Sequence, residues 1–266
     1  MKLLKYLSSK LKLIAFGDKY IHNSRRDYMT LRREKKSEEK TVKPKFAEER
    51  QETLSPLVPL NPLQAQYINY INTKKVTIAT GYPGTSKTFI PTMMACDMWR
   101  RGEINRIFLT RPNISNSKSL GYFSGSLVEK MTHWLLPILD IMYKRLGKAV
   151  VEIGIKNGDI SFIPLETIKG MSFAANTFVI CDEAEDLTKA ECISLVTRLG
   201  GCKMVLAGDL EQSALDEKSG LLYLKKVVAN SPNLEEFTGF VDFNRTSDIV
   251  RSPECKAWIL AFKNQK

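Results

Sequence analysis

A chain of 266 residues, 43% hydrophobic and 26% charged, is long enough to close one ordinary α/β domain, alone or with a tail. Its 40 Lys+Arg against 29 Asp+Glu give a formal charge of +11. These values exclude collagen, a fully disordered chain, a disulfide scaffold and a machine with two full motor domains in one chain.

The charge is uneven. Residues 1–56 hold 15 Lys+Arg and 8 Asp+Glu, a net of +7, and residues 57–266 carry the remaining +4. A basic extension points to nucleic acid, an acidic surface or a membrane, or is a solvated, partly disordered segment. Near the start, Leu3, Leu4, Leu7, Leu11 and Ile14 follow a helical stripe, but Lys5, Lys10 and Lys12 break any clean apolar signal region. No run reaches the roughly 18–20 apolar residues of a membrane helix, so no stable membrane insertion is expected. Five cysteines, with no Cys-x-x-Cys pair, fit a reducing, cytoplasmic setting and no zinc site. His22 and His133 have no partner pattern for a triad or a metal.

Pro56, Pro59 and Pro62 mark a linker, after which patterned sequence begins. LQAQYINYI predicts a helix. Val76–Thr80 is a short buried strand, Phe89–Arg100 an apolar helix, Arg106–Thr110 a second strand, and Leu127–Leu146 a long helix interrupted at Pro137. Val150–Ile155 and Ile160–Ile163 flank Asn157-Gly158, which predicts a β-hairpin. There follow a strand at Thr177–Cys181, a helix at Lys189–Leu199, a strand at Lys203–Ala207, a helix at Ser219–Val228, a strand at Leu234–Phe240 and a helix at Pro253–Phe262. This alternation predicts an α/β fold: a mainly parallel sheet covered on both faces, with the hairpin inserted.

Gly81-Tyr82-Pro83-Gly84-Thr85-Ser86-Lys87-Thr88 follows a strand and opens a helix, the context a phosphate loop requires. Backbone N–H groups of 84–88 can wrap a β-phosphate, and the helix start adds partial positive charge. Lys87 would bridge the β- and γ-phosphates of ATP, and the Thr88 hydroxyl would ligate Mg²⁺. Ser86 stands where the usual pattern has glycine, which narrows the approach to the phosphate and leaves a weakened site as the alternative. Phe178–Cys181 ends in Asp182-Glu183. There Asp182 can hold Mg²⁺ through its water shell and Glu183 can deprotonate the attacking water; taken alone, the pair could equally cap a helix. A third strand ends in Gly208-Asp209, with Gln212 placed to bond the γ-phosphate or the water. The expected organisation is a basic extension at 1–56 and an ATPase domain at 57–266.

In that order the motifs resemble those of the PhoH-like family of P-loop ATPases, from about Asn61 to Phe262. The resemblance rests on Gly81–Thr88, Leu109-Thr110-Arg111-Pro112, Leu120–Gly125, Pro164-Leu165 with Lys169-Gly170, Asp182-Glu183, Thr197–Gly200, Gly208–Gln212, Ser219–Leu221 and Val250–Pro253. It implies a three-layer, RecA-like P-loop NTPase fold, similar to the first motor domain of superfamily one helicases, with RNA-binding or RNA-unwinding roles. It implies that Gln64 reads the adenine edge, that Arg111 lies near the phosphates or a nucleic-acid groove, and that Arg251 is an arginine finger with Arg245 as rival. Lys169 replaces an arginine of the family, which weakens any bidentate phosphate contact there.

Together these readings predict a Mg²⁺-dependent ATPase coupled to single-stranded nucleic acid, RNA foremost. The alternative is an ATP-binding, nucleic-acid-associated module with little turnover; a small-molecule kinase is the third option. Lys118 with Tyr122 and Phe123 could stack unpaired bases, unless the aromatics are buried. One motor core per chain predicts a homo-oligomer, a ring whose neighbour completes the site.

Overall fold

The computed structural model describes residues 55–112 and 127–263. The predicted extension at 1–56, but for its last two residues, and the loop bearing Lys118, Tyr122 and Phe123 lie outside the described residues. Residues 56–122 and 135–266 form one compact unit; the other, 1–55 with 123–134, falls almost wholly outside the description.

Asn61 caps the first helix, α1 (Pro62–Thr73), by accepting from the Gln64 N–H, and Pro62 opens it where no N–H is needed. Strand β1 (Val76–Gly81) leads into the loop, and α2 (Phe89–Arg100) leaves it. Then come β2 (Arg106–Thr110), α3 (Leu127–Leu146, one helix through Pro137) and α4 (Lys148–Asn157). Strands β3 (Ile160–Phe162), β4 (Phe173–Ala174) and β5 (Thr177–Cys181) follow. The chain continues with α5 (Lys189–Val196), β6 (Leu199–Gly200), β7 (Lys203–Ala207), α6 (Gly220–Ala229), β8 (Thr238–Phe243) and α7 (Pro253–Lys263).

Six strands form one sheet in the order β3-β2-β5-β7-β1-β8, and every ladder in it is parallel. Successive strand residues point to opposite faces. Val76, Ile78, Phe108, Val179, Cys181, Met204 and Leu206 pack on one face with Cys192 and Leu195 of α5 and Leu221 and Leu224 of α6. The alternate set, Ala79, Ile107, Leu109, Phe178, Ile180 and Val205, is also buried, on the side of α1 and α2. The result is three layers, the predicted α/β architecture.

The hairpin does not form. Val150–Ile155 belongs to α4, and β3 pairs in parallel with β2. Val151, Gly154 and Ile155 are buried at helical spacing, which decides for helix. Gly158 adopts φ 82° and ψ 11° as a left-handed helix cap, its N–H bonding to the carbonyls of Gly154 and Ile155. Asn-Gly serves that cap as readily as a hairpin turn. Two boundaries also move. The fifth helix stops at Val196, because 199–200 pairs with β4, and β8 starts at Thr238, because Pro232–Leu234 forms a 3₁₀ turn. Cys96, Cys181, Cys192 and Cys202 are buried and reduced, and Cys255 is exposed.

Candidate active site

In a parallel sheet the clefts open beyond the carboxyl ends of the strands. Here β7 lies between β1, which feeds the phosphate loop, and β5, which ends in Asp182-Glu183. The segment after β7 therefore reaches the gap between loop and carboxylates, and the three strand ends singled out by sequence share one edge.

The loop is held from several sides. Gly81 has φ 117°, and a Cβ there would overlap the carbonyl of Phe243 on β8. Thr85 is fully buried, and its hydroxyl donates to the Tyr82 carbonyl at 2.8 Å. Tyr67 of α1, fully buried, donates its hydroxyl to the Lys87 carbonyl at 2.8 Å. Gln64 is 2% exposed, so it is no ordinary surface glutamine: its amide donates to the Thr85 carbonyl at 3.3 Å and accepts from the Leu60 N–H at 2.9 Å. It thereby fastens the linker and the loop to one another.

Lys87 Nζ donates to the carbonyls of Gly81 at 2.5 Å and Tyr82 at 2.6 Å. Burial pushes its pKa down, and Asp209, Glu185, Asp182 and Glu183 push it back up. Across the gap, Thr88 Oγ1 donates to Asp182 Oδ1 at 2.6 Å. Burial raises the Asp182 pKa, and the Thr88 hydrogen bond opposes the rise. Two hard oxygens thus converge where α2 begins. With so few protein ligands, a Mg²⁺ there would complete its octahedron with phosphates and water, which suits that ion.

Glu183 adopts φ 52°, in the left-handed region, and opens a 3₁₀ turn, Ala184–Asp186. A non-glycine residue there costs about 1–2 kcal/mol, and such strain gathers at functional sites. Arg111, at the end of β2, faces it with Nη2 3.5 Å from Glu183 Oε1. Arg111 therefore meets an acid at the end of its strand, beside the Asp182-Glu183 pair. Asp209 is 6% exposed and caps a 3₁₀ turn, Leu210–Gln212, accepting from the Glu211 N–H at 3.0 Å. Gln212 is exposed on that turn.

Of the two arginine candidates, Arg251 touches the loop. Its side-chain stem lies where a Cβ on Gly84 would be, and the Val250 N–H donates to the Gly84 carbonyl at 2.9 Å. Arg245 is exposed and opens a 3₁₀ turn, its N–H donating to Asp248 Oδ2 at 3.0 Å. Lys169 is exposed. Glu185 was not singled out by sequence reasoning. It is 1% exposed at this same edge, and its only sequence signal is an acid two residues after Glu183 at the end of an apolar strand.

Ser86 also adopts a positive φ, 71°. Replacing it with glycine removes a strain of about 1–2 kcal/mol and gives back part of that in unfolded-state entropy. Ser86→Gly is expected to raise the unfolding free energy by about 0.5–1 kcal/mol and to tighten ATP binding. Urea denaturation and ATP titration measure the two effects.

Residues 56–263 match the family of PhoH-like proteins. A PhoH-like protein of Synechocystis sp. is 32% identical over 194 residues, which are 72% of this chain and 57% of that one. A PhoH-like protein of Bacillus subtilis is 33% identical over 188 residues, 70% of this chain and 57% of its own. The chain thus spans a little over half the length of these relatives. Among solved structures, the large terminase from a thermophilic bacteriophage overlays 74% of this chain and 48% of its own at 11% identity, with a TM-score of 0.46.

Proposed function

The chain belongs to the PhoH-like protein family, a P-loop NTPase family, and we propose that it is a Mg²⁺-dependent ATP hydrolase coupled to single-stranded nucleic acid, RNA foremost. The observation that carries the reading is the 2.6 Å contact from Thr88 to Asp182, which ties the phosphate loop to the carboxylate pair across β7. Bound Mg²⁺, held by Thr88 and Asp182, would neutralise the charge of the β- and γ-phosphates. Glu183 takes a proton from water as the water oxygen attacks the γ-phosphorus in line. The bond from phosphorus to the β–γ bridging oxygen breaks, leaving ADP and phosphate. Lys87 and Arg251 neutralise the oxygens that gain charge, and Gln212 orients the water. Gly81, Gly84, Thr85 and Ser86 give the loop its backbone path, and Gln64, bonded to the Thr85 carbonyl, is the residue proposed to meet the adenine edge.

The nucleic-acid partner is argued from the +7 charge of residues 1–56, since phosphate neutralisation supplies most sequence-independent affinity. The homo-oligomeric ring is argued from the single motor core among the matched residues. ATP turnover measured with single-stranded RNA, with single-stranded DNA and with neither is the direct test. Stimulation by RNA is expected, and salt-sensitive binding should weaken when residues 1–56 are deleted while ATP binding persists. Absence of turnover in all three conditions favours the second reading, a nucleotide-binding module. The strained Ser86 and the Lys87 ammonium lying on its own loop carbonyls are the features that favour it. Full turnover by a monomer overturns the ring.

A further inference from the structure

Pro91 leaves a gap in the first turn of α2, and another helix fills it. A helical N–H at position 91 would serve the carbonyl of Lys87, four residues back, but proline has no N–H. The bonds on either side of that place are made: the Ile90 N–H donates to the Ser86 carbonyl at 3.0 Å, and the Thr92 N–H to the Thr88 carbonyl at 3.3 Å. The Lys87 carbonyl instead accepts from the Tyr67 hydroxyl of α1 at 2.8 Å. The Tyr67 ring meets Phe243 of β8 edge-on, with centroids 5.7 Å apart. The Phe243 carbonyl in turn accepts from the Tyr82 N–H at 3.0 Å. Tyr67 therefore bears on both ends of the phosphate loop. It lies one turn of α1 after Gln64, which holds the Thr85 carbonyl.

A trans peptide is a rigid plane whose carbonyl and N–H point opposite ways. Holding the Lys87 carbonyl from the side of α1 therefore turns the Thr88 N–H away from α1. Holding the Thr85 carbonyl does the same for the Ser86 N–H. Both are among the loop amides, 84–88, that can wrap a phosphate. We propose that Tyr67 is a positioning residue for nucleotide binding: it stands in for the amide that Pro91 lacks, fixes the Lys87–Thr88 peptide plane and so keeps the Thr88 N–H set for a phosphate oxygen. This loop has particular need of such a clamp, because Ser86 holds a φ of 71° that favours glycine, and a loose chain relaxes out of it. The inference rests on Gly81–Thr88 binding the phosphates of ATP, and it does not require hydrolysis.

The test uses the full chain and calorimetric titration with ATP in the presence of Mg²⁺. Tyr67→Phe keeps the ring against Phe243 and loses only the hydroxyl. Its Kd for ATP should rise about 5- to 20-fold, the worth of one lost hydrogen bond that leaves a carbonyl unserved. Adding Pro91→Ala gives the Lys87 carbonyl a helical donor, and the double variant should return to within about twofold of the wild-type Kd. A role in packing alone would lower the urea midpoint of Tyr67→Phe and leave its Kd unmoved. An unchanged Kd in Tyr67→Phe, or a weakened Kd that Pro91→Ala does not recover, overturns the proposal. If Tyr67→Phe does not fold, the double variant decides: wild-type affinity supports the proposal, and weakened binding or failure to fold overturns it. The wild-type titration separates the two ideas. A wild-type chain that binds no ATP removes the phosphate-loop reading and this inference with it, whereas equal binding by wild type and Tyr67→Phe removes only the role of Tyr67.

Discussion

Glu183→Gln is expected to lower kcat for ATP hydrolysis by about 10²–10⁴-fold while ATP still binds, the usual worth of a positioned general base. The amide is nearly isosteric, so the turn at φ 52° has no steric reason to change, although the ion pair with Arg111 at 3.5 Å loses its charge. What is lost is the ability to accept the proton of water, an interaction made only on the way to the transition state. Lys87→Ala has a different signature. It removes the cation that the loop presents, so binding and turnover both fall. It also frees the Gly81 and Tyr82 carbonyls that the ammonium occupies at 2.5 and 2.6 Å. Nucleotide binding followed separately from phosphate release distinguishes the two variants. Equal turnover in wild type and Glu183→Gln would remove Glu183 from the chemistry.

Arg145→Ala is expected to cost about 3–5 kcal/mol of stability. Its guanidinium, 6% exposed, meets Asp97 of α2 through two hydrogen bonds of 2.7 Å each, Nε to Oδ1 and Nη2 to Oδ2. The pair fastens the last turn of the helix that leaves the phosphate loop to the last turn of α3. Truncating the arginine leaves the Asp97 carboxylate, 17% exposed, without this partner, and that uncompensated charge accounts for most of the cost. Replacing both partners with apolar groups, as in Asp97→Leu with Arg145→Met, should recover most of the loss. Urea denaturation of the three variants measures this, and a single-variant cost below about 1 kcal/mol would show that the pair is solvated in solution.

Most of the sheet was legible because its strands carry their own signal. Val76–Thr80, Arg106–Thr110, Ile160–Ile163, Thr177–Cys181 and Lys203–Ala207 are short apolar runs, and five of the six strands fell within a residue of where their sequence set them. The misread hairpin shows the limit. Val150–Ile155 is apolar on both periods, and only burial of Val151, Gly154 and Ile155 against the rest of the fold selects the helix. In the site, Lys87, Thr88 and Asp182 were legible as local motifs, and the structure brings them together. The packing roles were not. That Gln64 is buried against Thr85, that Arg251 rather than Arg245 lies on Gly84, and that Glu185 is enclosed against Gly208 are all long-range facts. They depend on how β8 and the turns after β5 and β7 meet the loop, and no local pattern encodes that.

The position of β1 bears on how the chain is made. Val76 pairs with Met204 on one side and with Thr238 on the other, so both neighbours of the phosphate-loop strand are synthesised more than a hundred residues after it. Both edges of Val76–Gly81 stay open until residue 207 has emerged, and the edge that β8 covers stays open until residue 243 has emerged. Such late, non-local pairing slows folding and exposes the strand to aggregation. Ribosome-stalled chains ending before β8 should therefore be held by chaperones and bind no nucleotide. The site becomes competent only when translation of the last strand is complete.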